Sequence, residues 1–205
     1  MTPLLLIGGG GHCRSCIDVI ENTGRFEIVG IVDPIQSSAA SYLGYPWLGN
    51  DDDLPFLLQQ YRSVMITVGQ VKSPSIRMAL FEKLWTLGAE FPVIVSPRAY
   101  VSRHATLAPG TMVMHGAVIN AGARTGENCI VNSLALIEHD ASIGAHCHLS
   151  TGARLNGDAH VGAGSFIGSG AVVHHGVSIG DDCIVAAGAV VAKNLPAGTS
   201  FRGTL

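Results

Sequence analysis

Charge is scarce in this chain: Asp, Glu, Lys and Arg together make up 13% of its 205 residues. The 12 Lys and Arg fall short of the 15 Asp and Glu, the formal net charge is -3, and no run of basic residues offsets that balance. A nucleic-acid groove needs a basic surplus to displace counterions from phosphates, so a DNA or RNA partner is not expected. Long apolar runs are missing too. The stretch Pro3–Ile7 is far shorter than the ~20 residues that span a bilayer, has no basic leader and runs straight into glycines. The expectation is a soluble, cytoplasmic protein with no membrane partner. Paired cysteine motifs are also lacking. The five cysteines are an odd number, and the lone C-x-x-C of Cys13 and Cys16 has no second pair at zinc spacing. Free thiols and no metal are the reading.

What the chain does have is glycine, 26 residues of it, within a composition that is 47% hydrophobic. That is enough apolar material for a packed core, and low charge with abundant glycine points to a repetitive β architecture.

The first ninety residues alternate strand and helix patterns. Leu4–Ile7 is a compact apolar run ending in Gly8-Gly9-Gly10-Gly11-His12, after which Ile17, Val19 and Ile20 open a helical pattern that runs to Gly24. Ile28–Val32 is a second buried strand, closed by Asp33-Pro34, and Val64–Val68 a third, closed by Gly69. Helical stretches cover Leu54–Tyr61 and Ser75–Leu87. This alternation predicts a parallel sheet with a ligand crevice at the carboxyl ends of its strands. Glycines at the first turn let a phosphate or sugar come close, and the next helix offers unpaired N–H groups to an anion. Asp33 stands where a carboxylate meets a ribose or a base. The dinucleotide fingerprint G-x-G-x-x-G matches at Gly8 and Gly10 but has Cys13 at its sixth position, which weakens an NAD reading. A plain tight turn explains the glycines equally simply, while His12 at its mouth favours a ligand.

From Tyr100 the sequence divides without a gap into hexapeptides, beginning YVSRHA, TLAPGT, MVMHGA and ending SIGDDC, IVAAGA, VVAKNL. The second position is Val, Leu or Ile in fifteen of these sixteen blocks, Thr125 being the exception, and the sixth is mostly Ala, Cys, Ser or Thr. Such a repeat suits a parallel β-helix in which the aliphatic side chain points inward and the small residue permits the corner. Three blocks form one triangular coil. Cys129 and Cys147, three blocks apart, then share one interior column with Cys183 two coils further on.

A bare solenoid can be purely structural, so function rests on departures from the repeat. His139, in LIEHDA, is flanked by Glu138 and Asp140. A histidine beside a carboxylate is a common general-base arrangement, and its block position points it outward rather than into the core. Gly157 follows three blocks later, one coil on in the same column, with rungs about 4.8 Å apart. A base and an oxyanion donor so placed would straddle one reacting carbon.

The GGGGH turn, the IVDP strand end and the NSLALIEHD segment within hexapeptide coils together resemble the bacterial sugar acetyltransferases related to PglD and NeuD. The resemblance covers essentially the whole chain. It implies a Rossmann-like nucleotide-sugar-binding domain over residues 1–97 and a left-handed parallel β-helix over residues 98–205, with active sites between the subunits of a homotrimer. By the same resemblance His139 is the proton acceptor, Asp140 raises its basicity, and Asn132 belongs to the active site. The family often has Glu where Asp140 stands. His148 matches a residue that contacts acetyl-CoA, Gly157 a glycine whose N–H faces the thioester carbonyl, and Ser169 and Ala187 positions whose backbone touches the pantetheine arm. Gly10, Gly11, His12 and Asp33 match residues around the nucleotide-sugar. The segment GQVKSP after the third strand is longer than in PglD-like members.

The resulting expectation is acetyl-CoA-dependent N-acetylation of a nucleotide-linked 4-amino-4,6-dideoxy sugar for a surface glycan of the bacillosamine or legionaminic type, with no metal. O-acetylation of a sialic-type acid and a non-catalytic, trimeric sugar-nucleotide-binding solenoid stand as alternatives.

Overall fold

The structure is a computed structural model that describes residues 1–36 and 42–203. The chain divides into two compact units, one of residues 1–69 and 75–92, the other of residues 70–74 and 93–205. Among the described residues no helix is long and apolar enough to cross a membrane.

The first unit runs β1 (Thr2–Ile7), α1 (Gly11–Thr23), β2 (Phe26–Val32), β3 (Trp47–Gly49), α2 (Leu54–Gln60), β4 (Val64–Ile66) and α3 (Ser75–Thr86). Its four parallel strands lie in the order β3-β2-β1-β4, so the chain crosses over beside β1, where open α/β sheets leave a crevice. Helix α1 buries Cys13, Cys16, Ile17, Val19 and Ile20 at helical spacing and ends on Gly24, whose φ of 62° makes a left-handed cap. Leu5, Ile7, Val32, Val64 and Ile66 pack against Leu57 and Leu58 of α2 and Leu80, Phe81 and Leu84 of α3. Burying each such side chain stabilises the unit by about 1.5–3 kcal/mol. Strand β3 is a finding of the structure. Very short, with neither alternation nor a long apolar run, it is recognisable only through its pairing with Ile31 and Val32.

The second unit is a parallel β-helix of two-residue strands in three sheets of seven, six and five strands. Each strand pairs with the strands three blocks before and after it throughout the regular coils: Ile130 pairs with both Met112 and His148, Leu136 with Val118 and Arg154, and Ser142 with Arg124 and His160. The first face carries Ile94–Val95 through Ser200–Phe201, the second Tyr100–Val101 through Val190–Val191, and the third Thr106–Leu107 through Ser178–Ile179. The coils begin one block before Tyr100, at Ile94–Val95, which pairs with Met112–Val113. Regular spacing ends inside VVAKNL. Leu195 bridges to Ile179, short of the full three-block step kept elsewhere, so the last block does not hold the frame of the others.

The interior is a column of second-position aliphatics, Val113 to Val191, interleaved with sixth-position alanines and cysteines. At the corners after the third face the sixth position is Thr111, Cys129, Cys147, Ser165 and Cys183. Each donates across the corner to a backbone oxygen: Thr111 to Gly126, Cys129 to Gly144, Cys147 to Gly162, Ser165 to Gly180 and Cys183 to Pro196, at 3.1–3.2 Å. All five cysteines of the chain are free and buried. Thr125, the exception at the second position, is buried at 5% exposure, where its hydroxyl meets that of Thr111 at 3.3 Å and accepts the Ala108 N–H.

Candidate active site

His139 sits at the corner that follows the second face. The residue after it, Asp140, has a φ of 62°, a left-handed conformation that Asp tolerates better than most residues. That turn brings the Asp140 carboxylate to 3.0 Å from His139 Nδ1. The hydrogen bond to Asp140 is the main cause that raises the His139 pKa above the ordinary histidine value. Partial desolvation opposes it, and the charges of Asp140, Glu138 and Asp158 add to it. The side chain stays 59% exposed, as its outward block position predicts. With Nδ1–H donated to Asp140, Nε2 is left as a lone-pair acceptor.

Below the ring lies Gly157. A Cβ built on Gly157 would stand 2.6 Å from His139 Nε2 and 2.7 Å from Cε1, closer than any side chain tolerates, so the imidazole rests on the bare backbone of the next coil. The Asp158 N–H donates to the His139 carbonyl at 3.0 Å, tying the two rungs together. Glu138 accepts from Asn120 Nδ2 at 2.8 Å and from the His139 N–H at 3.3 Å. Asp158 escaped the sequence reading, although it follows Asp140 by the same three-block step that singles out Gly157. Next to it His160 Nε2 lies 3.4 Å from the Asp158 carboxylate.

Asn132 stands at a different corner, the one before the second face. Its amide nitrogen is 3.1 Å from His148 Nε2, and its Oδ1 accepts the Ser133 N–H at 2.8 Å. His148 Nδ1 is 2.6 Å from the Gln70 carbonyl oxygen. A carbonyl only accepts, so Nδ1 carries the proton and Nε2 accepts from Asn132. The ring is 6% exposed and packs edge-on against Phe166 at 5.2 Å. Gln70 also donates to the Gly164 carbonyl at 3.2 Å, so the GQVKSP segment is bound to the coils through His148 and Gly164. Ser169 and Ala187 are exposed further down the same corner, with the Ser169 hydroxyl 2.9 Å from that of Ser150. Within one chain, then, the structure brings together His139, Asp140 and Gly157 at one corner, and Asn132, His148, Ser169 and Ala187 at or beside another. The strand Leu136–Ile137 lies between, and at about 3.3 Å per residue the two groups are on the order of 15–20 Å apart.

In the first unit, the four turn glycines differ. A Cβ on Gly8 would strike Val68 and one on Gly9 would strike Tyr42, whereas Gly10 and Gly11 face open space. Helix α1 starts at Gly11, with no side-chain cap and no acidic residue in its first turn, and the Gly10 carbonyl accepts the Cys13 N–H at 3.0 Å; the positive end of the helix dipole there suits an anion. Asp33 holds this turn against β2: its two carboxylate oxygens accept the Gly9 N–H at 2.6 Å and the Ile35 N–H at 2.9 Å. His12 is half-buried, its Cβ 3.4 Å from a Cβ built on Gly69. Among the described residues no group of three or more His, Cys, Asp or Glu is gathered for a metal ion.

Comparison with known proteins gives a consistent result. The model of the PglD N-terminal domain matches residues 3–84, and that of the bacterial transferase hexapeptide (six repeats) matches residues 158–193. No curated protein sequence matches the chain. Among solved structures, a histidine-to-asparagine variant of perosamine N-acetyltransferase from Caulobacter crescentus, in complex with CoA and GDP-perosamine, is 35% identical over 96% of this chain and 91% of its own, with a TM-score of 0.90. The acetyltransferase domain of PglB from Neisseria gonorrhoeae, in complex with acetyl coenzyme A, is 31% identical over 96% and 93%, with a TM-score of 0.88. WeeI from Acinetobacter baumannii, at 21% identity over 97% and 95% and a TM-score of 0.82, shares the fold. The chain belongs to the bacterial sugar acetyltransferases that join a PglD-type N-terminal domain to a left-handed β-helix of hexapeptide repeats.

Proposed function

We propose that this protein transfers the acetyl group of acetyl-CoA to the amine of a nucleotide-linked 4-amino-4,6-dideoxy sugar, and that it does so as a homotrimer. The observation that carries the reading is the His139 imidazole resting on Gly157, with Asp140 on Nδ1 and Nε2 free to take a proton. The neighbours at 31–35% identity, solved with CoA and GDP-perosamine or with acetyl coenzyme A, support the donor and the class of acceptor.

In this reading the sugar amine attacks the thioester carbon while His139 Nε2 accepts its proton. Asp140 holds the ring in the required tautomer and stabilises the imidazolium that forms. The oxygen that gains charge in the tetrahedral intermediate is met by the Gly157 N–H. Collapse forms the amide and expels CoA as thiolate, which is protonated by the imidazolium. His148, with both ring nitrogens engaged inside the chain, acts by holding Asn132 rather than by meeting the oxyanion.

The separation of the two corners supports the trimer. A thioester held along Asn132, Ser169 and Ala187 cannot reach the His139 of the same coil, but a neighbouring β-helix laid alongside supplies the missing corner. The second face between those corners is suited to that contact. Its outward residues are Tyr100, Val118, Leu136, Val172 and Val190, with Arg154 the one charge. Leu134 at its rim is 66% exposed, at a left-handed corner position of φ 61°, an exposed apolar side chain that a subunit interface would cover.

The test is acetyl transfer measured by CoA release. His139→Asn should lower kcat/KM by about 10²–10⁴ while leaving acetyl-CoA binding in place. Unchanged transfer would remove the base and return the solenoid to a binding role, and acetylation confined to a hydroxyl of a sialic-type acid would overturn the acceptor.

A further inference from the structure

The first unit contains a cavity of about 300 Å³ over the carboxyl ends of β1, β2 and β4. Ile7, Val32, Val68, Ile76 and Leu80 supply its apolar walls, and Asp33, Asp51 and Lys83 its charged groups. Two of these three are already committed. The Asp33 oxygens hold the Gly9 and Ile35 N–H groups, and Lys83 Nζ donates to the Asp51 backbone oxygen at 2.8 Å. Among the described residues, no hydrogen bond occupies the Asp51 carboxylate. The cavity therefore combines apolar walls with one lining acid, Asp51, whose carboxylate is uncommitted. Gly8 also lines it, which connects it to the open backbone of Gly10 and Gly11 and to the uncapped start of α1.

We infer that this cavity holds the base of the nucleotide and that Asp51 selects guanine. The inference rests on the nucleotide-sugar reading above and names its nucleotide. A carboxylate offers two adjacent acceptors and no donor. Guanine presents two adjacent donors, the ring N1–H and the exocyclic amine, and so matches it with two charge-assisted bonds. Uracil presents one N–H between two carbonyl oxygens, which the carboxylate repels. Adenine and cytosine each set a donor beside a ring-nitrogen lone pair, so one carboxylate oxygen would face another acceptor. The apolar walls cover the faces of the base, while the phosphates run past Gly8 toward Gly10, Gly11 and the α1 N–H groups.

The experiment is calorimetric titration of the full chain with GDP, UDP and ADP, repeated on Asp51→Asn, with the melting temperature of each free protein as a control on folding. Wild type should bind GDP at least about tenfold more tightly than UDP or ADP, since a site that pairs specific donors rejects a base lacking them. In Asp51→Asn the amide offers one acceptor and one donor, so GDP should weaken about tenfold while UDP holds or improves. A wild type that binds UDP as tightly as GDP overturns the inference, as does a folded variant with an unchanged GDP-to-UDP ratio. Acetyl transfer to a UDP-linked amino sugar in preference to its GDP counterpart would sink guanine selection and leave the acetyltransferase reading standing. Absence of transfer to either sugar, with GDP still preferred in binding, would sink the acetyltransferase reading alone.

Discussion

His139 depends on two neighbours that restrain it differently. Asp140 acts through charge, holding Nδ1–H at 3.0 Å and raising the imidazole pKa above its ordinary value near 6.5. As the proposed general base, His139 works in its neutral form, so activity should fall as pH drops through that raised pKa. In Asp140→Asn the hydrogen-bonded charge is gone while Asn still tolerates the left-handed backbone. The acid limb of the kcat/KM profile should therefore move to lower pH, and a limb that stays in place would show that His139 is not the group being titrated. Gly157 acts through space. In Gly157→Ala the new Cβ would stand 2.6 Å from Nε2, and because His139 is exposed, the ring would give way rather than the coil. Transfer should drop on the order of 100-fold, as a misplacement near 1 Å does, with an unchanged melting temperature. Both neighbours are legible in the sequence, Asp140 by adjacency and Gly157 by the three-block period. Asp33 is less so: its place at a strand end is visible, but its hydrogen bond to Gly9, 24 residues earlier, is not.

At the scale of the coil, the repeat has a third regularity beside its aliphatic and small positions. Every fifth position between residues 106 and 189 has positive φ, filled by Gly or by Asn128, Leu134, Asp140, His146, Asp158 and Asp182. This left-handed residue turns each corner, and glycine, asparagine and aspartate are the residues that adopt it at least cost. The cysteines have a second use besides being small. Cys147 is buried, and its thiol pKa is pushed up by the Cys129 thiol beside it and by burial, so it remains a donor to the Gly162 carbonyl. Replacing Cys147 with Ala should destabilise the protein by about 1 kcal/mol, read as a loss of roughly 2–4 °C in melting temperature. Replacing it with Ser, the residue found at 165 in the same column, should cost less. Equal losses for the two variants would mean that the thiol only fills space.

For the whole molecule, the decisive expectation concerns assembly. If the proposed trimer forms, charge introduced by Val118→Asp, between Tyr100 and Leu136 on the second face, should give a monomer of 21.3 kDa in light scattering and abolish transfer, because each proposed site would lose one of its two corners. A monomeric variant with full activity would place the whole site in one chain.

The sequence by itself determined the β-helix, its frame, the inward column and the stacking of Gly157 beneath His139, because a period of three hexapeptide blocks is a local rule that repeats from rung to rung. It also marked strands β1, β2 and β4 and the glycine turn. Only the tertiary structure decided the contacts without a period. Strand β3 exists through its pairing with β2, and His148 is oriented by Gln70, 78 residues earlier. The shortened step to Leu195 and the cavity that gathers Asp51 with Ile7, Val68 and Leu80 belong to the same class. Each brings together groups from separate stretches of chain whose partners are chosen by packing, and packing leaves no spacing for a sequence to display.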